Sequence, residues 1–190
     1  TTITATSAFR SMLIYTEITP NPQSLKFVVP AEYPLLDQGT WEANHPTPED
    51  PPLLQALWAV PGIKALFLTR SFLTVTRAEE ATWQELIPTI KEVLRAHLPQ
   101  GPLTNPHAPA HPAQAEGIEK QIRDILEEYV RPGIAMDGGD VEFLGYADGV
   151  VKLRLRGSCS GCPSSLFTLK AGIEALLTRL VPEVQRVEAE

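Results

Sequence analysis

Cysteine is almost absent from this chain, with two residues in 190, Cys159 and Cys162. So few thiols exclude the disulfide framework that staples small secreted domains, and two in one short loop fit a reducing compartment. Positive charge is also scarce. The 16 Lys and Arg are outnumbered by 23 Asp and Glu, and the formal net charge of −7 argues against nucleic acid or an anionic membrane as the main partner. No apolar run approaches the ~18–20 residues of a spanning helix, so no membrane partner is expected. Thr1 to Ser11 does not read as a secretory leader, because it is polar and Arg10 is its only charge. It is free of acids and rich in Ser and Thr, which is compatible with the end of an organellar targeting segment. Its plainer reading is a disordered extension, residues 1–11, before Met12.

Proline is present and unevenly spread. Pro99, Pro102, Pro106, Pro109 and Pro112 fall in one stretch with Gly101 and several Ala and His. Proline removes backbone donors and disfavours helix at the residue before it. Residues 99–115 therefore read as an extended linker, reaching roughly 50 Å at ~3.1 Å per residue. It separates two domains, 12–98 and 116–190. The 43% hydrophobic content suffices for a core in each.

The first domain opens with a strand-like run, Met12 to Ile18, a turn at Thr19-Pro20-Asn21-Pro22, and a second strand, Ser24 to Val29. A loop rich in Pro and acidic residues runs to Asp50. Asp50-Pro51 reads as an N-cap and first helical position of a short helix through Trp58, ended by Pro61-Gly62. Ile63–Thr69 and Phe72–Arg77 read as a hairpin. Thr82 and Glu85 have capping-box spacing before a helix whose Trp83, Leu86, Ile87, Ile90, Leu94 and Leu98 share a stripe. Pro88 is expected to kink this helix or mark its true start.

The second domain begins with a helix carrying Ile118, Ile122, Ile125, Leu126 and Tyr129 on one face, stopped by Arg131-Pro132-Gly133. Met136-Asp137-Gly138-Gly139-Asp140 is a turn. Strands Val141–Tyr146 and Val150–Arg156 flank Ala147-Asp148-Gly149, a hairpin signal. Val151, Leu153 and Leu155 alternate with Lys152, Arg154 and Arg156, the pattern of a half-buried strand. Leu166, Leu169, Ile173, Leu176, Leu177 and Leu180 mark a helix, and Val184–Val187 a closing strand. The predicted fold class is α+β: two small two-layer α+β domains joined by a Pro-rich linker.

Cys159 and Cys162 stand in Gly157-Ser158-Cys159-Ser160-Gly161-Cys162-Pro163. Two sulfurs at this spacing can bind one metal centre or close one disulfide, but cannot fill a four-thiolate site alone. Pro163 fits the first position of the following helix, whose N-terminus favours a thiolate at Cys162. Arg156 could add positive potential, though a solvated strand face explains it as well. Three readings stay open on these residues: half of an iron–sulfur site completed by a partner chain, a dithiol redox centre, or half of an intermolecular zinc site. The redox reading is weakened because thioredoxin-like motifs follow a strand in a βαβ unit, whereas a hairpin is expected here. Two merely structural, buried cysteines fit poorly in a Gly/Ser loop without apolar neighbours. His107 and His111 have i,i+4 spacing, but the prolines around them forbid that helix.

The run Arg131-Pro132, Asp137-Gly138-Gly139-Asp140, Gly149, Gly157-x-Cys159-x-x-Cys162-Pro163-x-Ser165 and Thr168-Leu169-Lys170-x-Gly172-Ile173-Glu174 resembles the C-terminal domain of the NifU-like, Nfu-type iron–sulfur proteins. Thr16-Glu17, Thr19-Pro20-Asn21-Pro22, Ser24-Leu25-Lys26-Phe27, Pro61-Gly62-Ile63 and Phe72-x-Thr74-Val75-Thr76 resemble the Nfu N-terminal domain, and Trp83 and Pro88 fit its last helix. Arg70-Ser71 departs from the Gly and acidic residue often found there. The resemblance covers nearly all of residues 12 to 190. It implies a non-enzymatic scaffold or carrier that holds a [4Fe–4S] cluster ([2Fe–2S] being the other nuclearity) between two subunits. Cys159 and Cys162 are the ligands it implies. Its implied partners are a second copy of the chain, apo iron–sulfur acceptors and cluster-assembly donors. The bacterial cytoplasm is the expected location, with the mitochondrial matrix as alternative. A thiol–disulfide oxidoreductase using the same two cysteines is the rival function. The Asp137–Asp140 turn matches the family, but its residues suggest only a Gly-rich connection.

Overall fold

The computed structural model describes residues 12–107 and 117–190 apart from Cys162, without the side chains of 160, 161 and 163–165. The expected extension at 1–11 and most of the expected linker therefore lie outside the described residues. The chain divides into two compact units, with His107 still in the first. No helix among the described residues is long and apolar enough to cross a membrane. Both units are small α+β domains, as the residue patterns lead one to expect.

The first unit holds strands β1 (Tyr15–Ile18), β2 (Ser24–Val28), β3 (Trp41–Ala43), β4 (Ile63–Leu68) and β5 (Phe72–Arg77), with helices α1 (Pro52–Trp58) and α2 (Trp83–His97). The strands form one sheet in the order β1-β2-β5-β4-β3, with every neighbour antiparallel. Successive strand residues face opposite sides, so Leu25 and Phe27, Leu66 and Leu68, and Leu73 and Val75 share one face. That face joins Leu54 and Leu57 of α1 and Leu86, Ile90 and Leu94 of α2 in a single core. Pro88 lies inside α2 and does not mark its start. Thr82 and Glu85 do pair, but side chain to side chain at 2.9 Å rather than through the backbone. Helix α1 starts one residue later than expected. Asp50 instead accepts from the Thr47 backbone and hydroxyl, at 2.9 and 2.7 Å.

Two further expectations fail in this unit. The loop to Asp50 hides β3, whose three residues are too short to show a period. The linker does not begin at Pro99. A 3-10 turn spans Leu98–Gln100, and Leu103 donates to the Leu35 carbonyl at 2.8 Å while bridging Leu36. Asn105 donates to the Gln38 and Thr40 carbonyls at 3.1 and 3.0 Å, and its N–H reaches Asp37 Oδ1 at 3.1 Å. Prolines 99, 102 and 106 remove only their own donors, and Leu103 and Asn105 use the donors that remain.

The second unit runs α3 (Ile118–Ile125), a π-helical turn (Leu126–Val130), α4 (Arg131–Met136), β6 (Gly139–Ala147), β7 (Val150–Gly157), a 3-10 turn (Ser158–Gly161), α5 (Pro163–Leu180) and β8 (Arg186–Ala189). Arg131-Pro132-Gly133 does not stop the first helix. Pro132 falls in the first turn of α4, where a missing N–H costs nothing. The π turn before it also rotates the stripe, leaving Tyr129 exposed while Val130 and Ile134 are buried. Asp148 and Gly149 both have positive φ, 49° and 78°, as a two-residue type I′ hairpin between β6 and β7 requires. Strand β8 falls two residues later than expected and pairs in parallel with β7. Thus β7–α5–β8 is a βαβ crossover, and the hairpin argument against a dithiol centre does not hold. Ile122, Leu126, Val141, Leu153, Leu155, Ile173, Leu177 and Val187 are among the residues closing this core.

Candidate metal-binding turn

The β6–β7 register places Gly139 opposite Gly157, where β7 ends. Gly157 takes φ 72°, a left-handed value that suits glycine, and the chain turns there into Ser158–Gly161. This return brings Cys159 over Gly139. A Cβ at position 139 would lie 2.8 Å from Cys159 Sγ and 2.7 Å from the Arg156 carbonyl oxygen, so the sulfur fills space that only glycine leaves. Pro163 opens α5 as its sequence position suggests. Cys162 lies outside the described residues.

Cys159 is buried, 6% exposed, and belongs to the core of the unit. This corrects the expectation that a buried cysteine fits poorly in a Gly/Ser loop without apolar neighbours: Ile134 reaches the same niche, with Cγ2 3.3 Å from the Cβ position of residue 139. Burial pushes the Cys159 thiol up from its ordinary value. The Ser158 hydroxyl pulls it down, and the Asp137 and Asp140 carboxylates push it further up.

Ser158 anchors the turn. Its hydroxyl donates to the Asp137 carbonyl, and its N–H donates to the Gly138 carbonyl at 3.2 Å. One step on, Asp140 is 7% exposed and faces Arg131 Nε at 2.8 Å. Arg131 also pairs with Glu127 and donates from Nη2 to the Val141 carbonyl at 2.9 Å. Burial raises the Asp140 carboxyl above its ordinary range, and Arg131 opposes that rise. The Asp137-Gly138-Gly139-Asp140 turn is thus more than a connection. Its carbonyls and its missing side chain form the seat of Cys159, a role the bare sequence signals only by placing Gly-Gly at the head of a strand.

Arg156 has a carboxylate partner of its own. It pairs with Glu142 across the hairpin, with Nε to Oε2 at 3.1 Å, as its strand-face reading suggests. His107 packs edge-on against Trp41, with ring centroids 5.9 Å apart, and His111 lies outside the described residues. Among the described residues no three His, Cys, Asp or Glu side chains gather as a metal site.

Comparison with known proteins agrees with both halves of this architecture. A family model described as NifU-like domain matches residues 122–188, and one described as scaffold protein Nfu/NifU N terminal matches 14–101. A human protein named NFU1 iron-sulfur cluster scaffold homolog, mitochondrial, is 40% identical over 187 residues, covering 94% of this chain and 72% of its own length. The chain belongs to the Nfu-type NifU-like family. A Drosophila simulans Nfu relative of the same name is 39% identical over 188 residues, and this chain spans 65% of its length. NifU-like protein 5, mitochondrial, of Arabidopsis thaliana is 38% identical, covering 95% of this chain and 69% of its own.

Proposed function

We propose that this Nfu-type chain is a non-enzymatic scaffold and carrier for an iron–sulfur cluster, and that the cluster is its cargo. One observation carries the reading: a chain whose human and Drosophila relatives are named iron-sulfur cluster scaffolds has two thiols, both in one C-x-x-C. A four-thiolate cluster needs four sulfurs. Two chains, each contributing Cys159 and Cys162, complete the set and place a [4Fe–4S] cluster at a subunit interface. Ligands drawn from two chains release more readily than a closed cage. Transfer to an apoprotein proceeds by thiolate exchange. The incoming cysteine forms an iron–sulfur bond as the bond to Cys159 or Cys162 breaks, its proton passes to the departing thiolate, and no electrons move. Cluster-assembly proteins are the donors. The mitochondrial names of the relatives favour the organellar alternative over the bacterial cytoplasm.

A dithiol oxidoreductase is the second reading, and one observation favours it: the turn joins a strand to a helix within a βαβ unit. Anaerobic reconstitution with iron and sulfide separates the two, read by visible absorption, Mössbauer spectroscopy and sedimentation. The carrier reading expects a chelator-sensitive visible band carried by a dimer, because cargo that binds only the dimer draws monomers together by mass action. A colourless protein that cycles between dithiol and disulfide favours the oxidoreductase. A monomer holding a full cluster overturns the shared site.

A further inference from the structure

The fold buries a thiol that a carrier has to present. Cys159 keeps 6% of its surface, and its Sγ sits in the niche left by Gly139. Cargo shared with a second chain approaches from solvent and cannot reach a sulfur seated in the core. The turn must therefore move before loading.

The two sides of the niche are built differently. Asp137 and Gly138 end the α4 run and are tied into it: the Asp137 N–H meets the Ile134 carbonyl at 3.1 Å, and the Gly138 N–H meets the Ala135 carbonyl at 3.1 Å. Gly139 is paired in the β6–β7 ladder. The floor of the niche is thus built from regular structure. The roof is a four-residue 3-10 turn, Ser158–Gly161. Ser158, 3% exposed, fastens roof to floor with its hydroxyl on the Asp137 carbonyl and its N–H on the Gly138 carbonyl. Both bonds are neutral, and water can replace each when the turn lifts.

We propose that Ser158 is a positioning residue that clamps the turn through Asp137 and Gly138, and so sets how often Cys159 leaves the Gly139 niche to meet its cargo. This deepens the carrier reading and rests on it. The clamp itself is made of protein groups alone and is measurable without iron.

The test uses the full chain with Cys162→Ser, which leaves one thiol, and follows its reaction with N-ethylmaleimide by mass. Cys159 is expected to react far more slowly than in the urea-unfolded chain. Adding Ser158→Ala is expected to speed the reaction roughly five- to tenfold, the ratio that one lost neutral hydrogen bond represents. Ser158→Thr keeps a hydroxyl and is expected to stay near the parent rate. Because Ser158→Ala also lowers overall stability, the rates are taken across low urea concentrations. Local opening is nearly independent of urea, whereas reaction through global unfolding rises steeply. The inference is overturned if Ser158→Ala reacts at the parent rate, if the parent reacts as fast as the unfolded chain, or if the acceleration follows the steep dependence. Reconstitution of the two-cysteine parent tests the carrier reading separately. A parent that takes up no cluster sinks that reading and leaves the alkylation ratios standing.

Discussion

Cys159 is a buried core thiol and a proposed cluster ligand, so its replacement does two things at once. Cys159→Ser and Cys162→Ser are each expected to abolish stable cluster binding, since a hydroxyl is a poor substitute for thiolate toward iron. Iron and sulfide content after reconstitution is the measurement, and a normal cluster in either variant removes that cysteine from the ligand set. Cys159→Ser also buries a hydroxyl where a sulfur packed, and it should lower stability by about 1–3 kcal/mol in urea. Asp140 supplies a pH signature. Its folded carboxyl holds a proton more tightly than the ordinary value of 3.8, because burial outweighs the Arg131 charge beside it. The sign follows from linkage: the folded state binds more protons between the two values. Stabilisation from this group is complete below the unfolded value and is lost as pH rises through the raised folded one. The unfolding free energy of the parent minus that of Asp140→Asn should therefore fall as pH climbs above about 3.8. A difference that stays flat or rises between pH 3.5 and 6 shows that the Arg131 pairing dominates instead.

The elements show how far composition and period reach. Strands β2, β4, β5, β6 and β7 and helices α1, α2 and α5 are legible because each carries enough alternation, stripe or punctuation to betray its period. Strand β3 is not, because Trp41–Ala43 gains its identity only by pairing with β4. The continuation through Pro132 is not legible either, since proline reads as a stop until a new helical turn places it where no donor is needed. The candidate ligands were visible as the chain's only C-x-x-C. Their setting was not, because burial of Cys159 depends on Gly139, 20 positions earlier, lying opposite Gly157 across a hairpin. That pairing is testable. Gly139→Ala drives a methyl into backbone oxygen and sulfur, and overpacking of this kind is expected to cost about 1–3 kcal/mol. Gly172→Ala, at an exposed position of α5 whose added Cβ meets nothing within 4 Å, should gain about 0.5–1 kcal/mol from helix propensity. Thermal unfolding should move in opposite directions for the two alanines. Equal shifts would mean that the niche beneath Cys159 is not closely packed.

On the scale of the whole chain, two cores with separate residue sets imply that each unit can stand alone. Residues 117–190 hold both cysteines, so this fragment should fold, take up the cluster on reconstitution and dimerise as it does so. The first unit contains no cysteine and should bind none. Its C-terminal limit is the sharper question. Composition alone places that limit at Leu98, where the proline-rich stretch begins. The hydrogen bonds place it beyond Asn105. A fragment ending at Leu98 loses the Leu103 bond to Leu35, the bridge to Leu36 and the three bonds of Asn105 to Asp37, Gln38 and Thr40. At about 0.5–1.5 kcal/mol per hydrogen bond, and with incomplete additivity, residues 12–98 should be less stable than 12–107 by on the order of 2–4 kcal/mol. Urea unfolding of the two fragments, followed by the fluorescence of Trp41, Trp58 and Trp83, measures that gap. Adding Asn105→Ala to 12–107 should close part of it, because the Gln38 and Thr40 carbonyls then lose their donor. Equal midpoints for all three would show that residues 99–107 lie against the first unit without stabilising it, and the linker would begin at Pro99 after all.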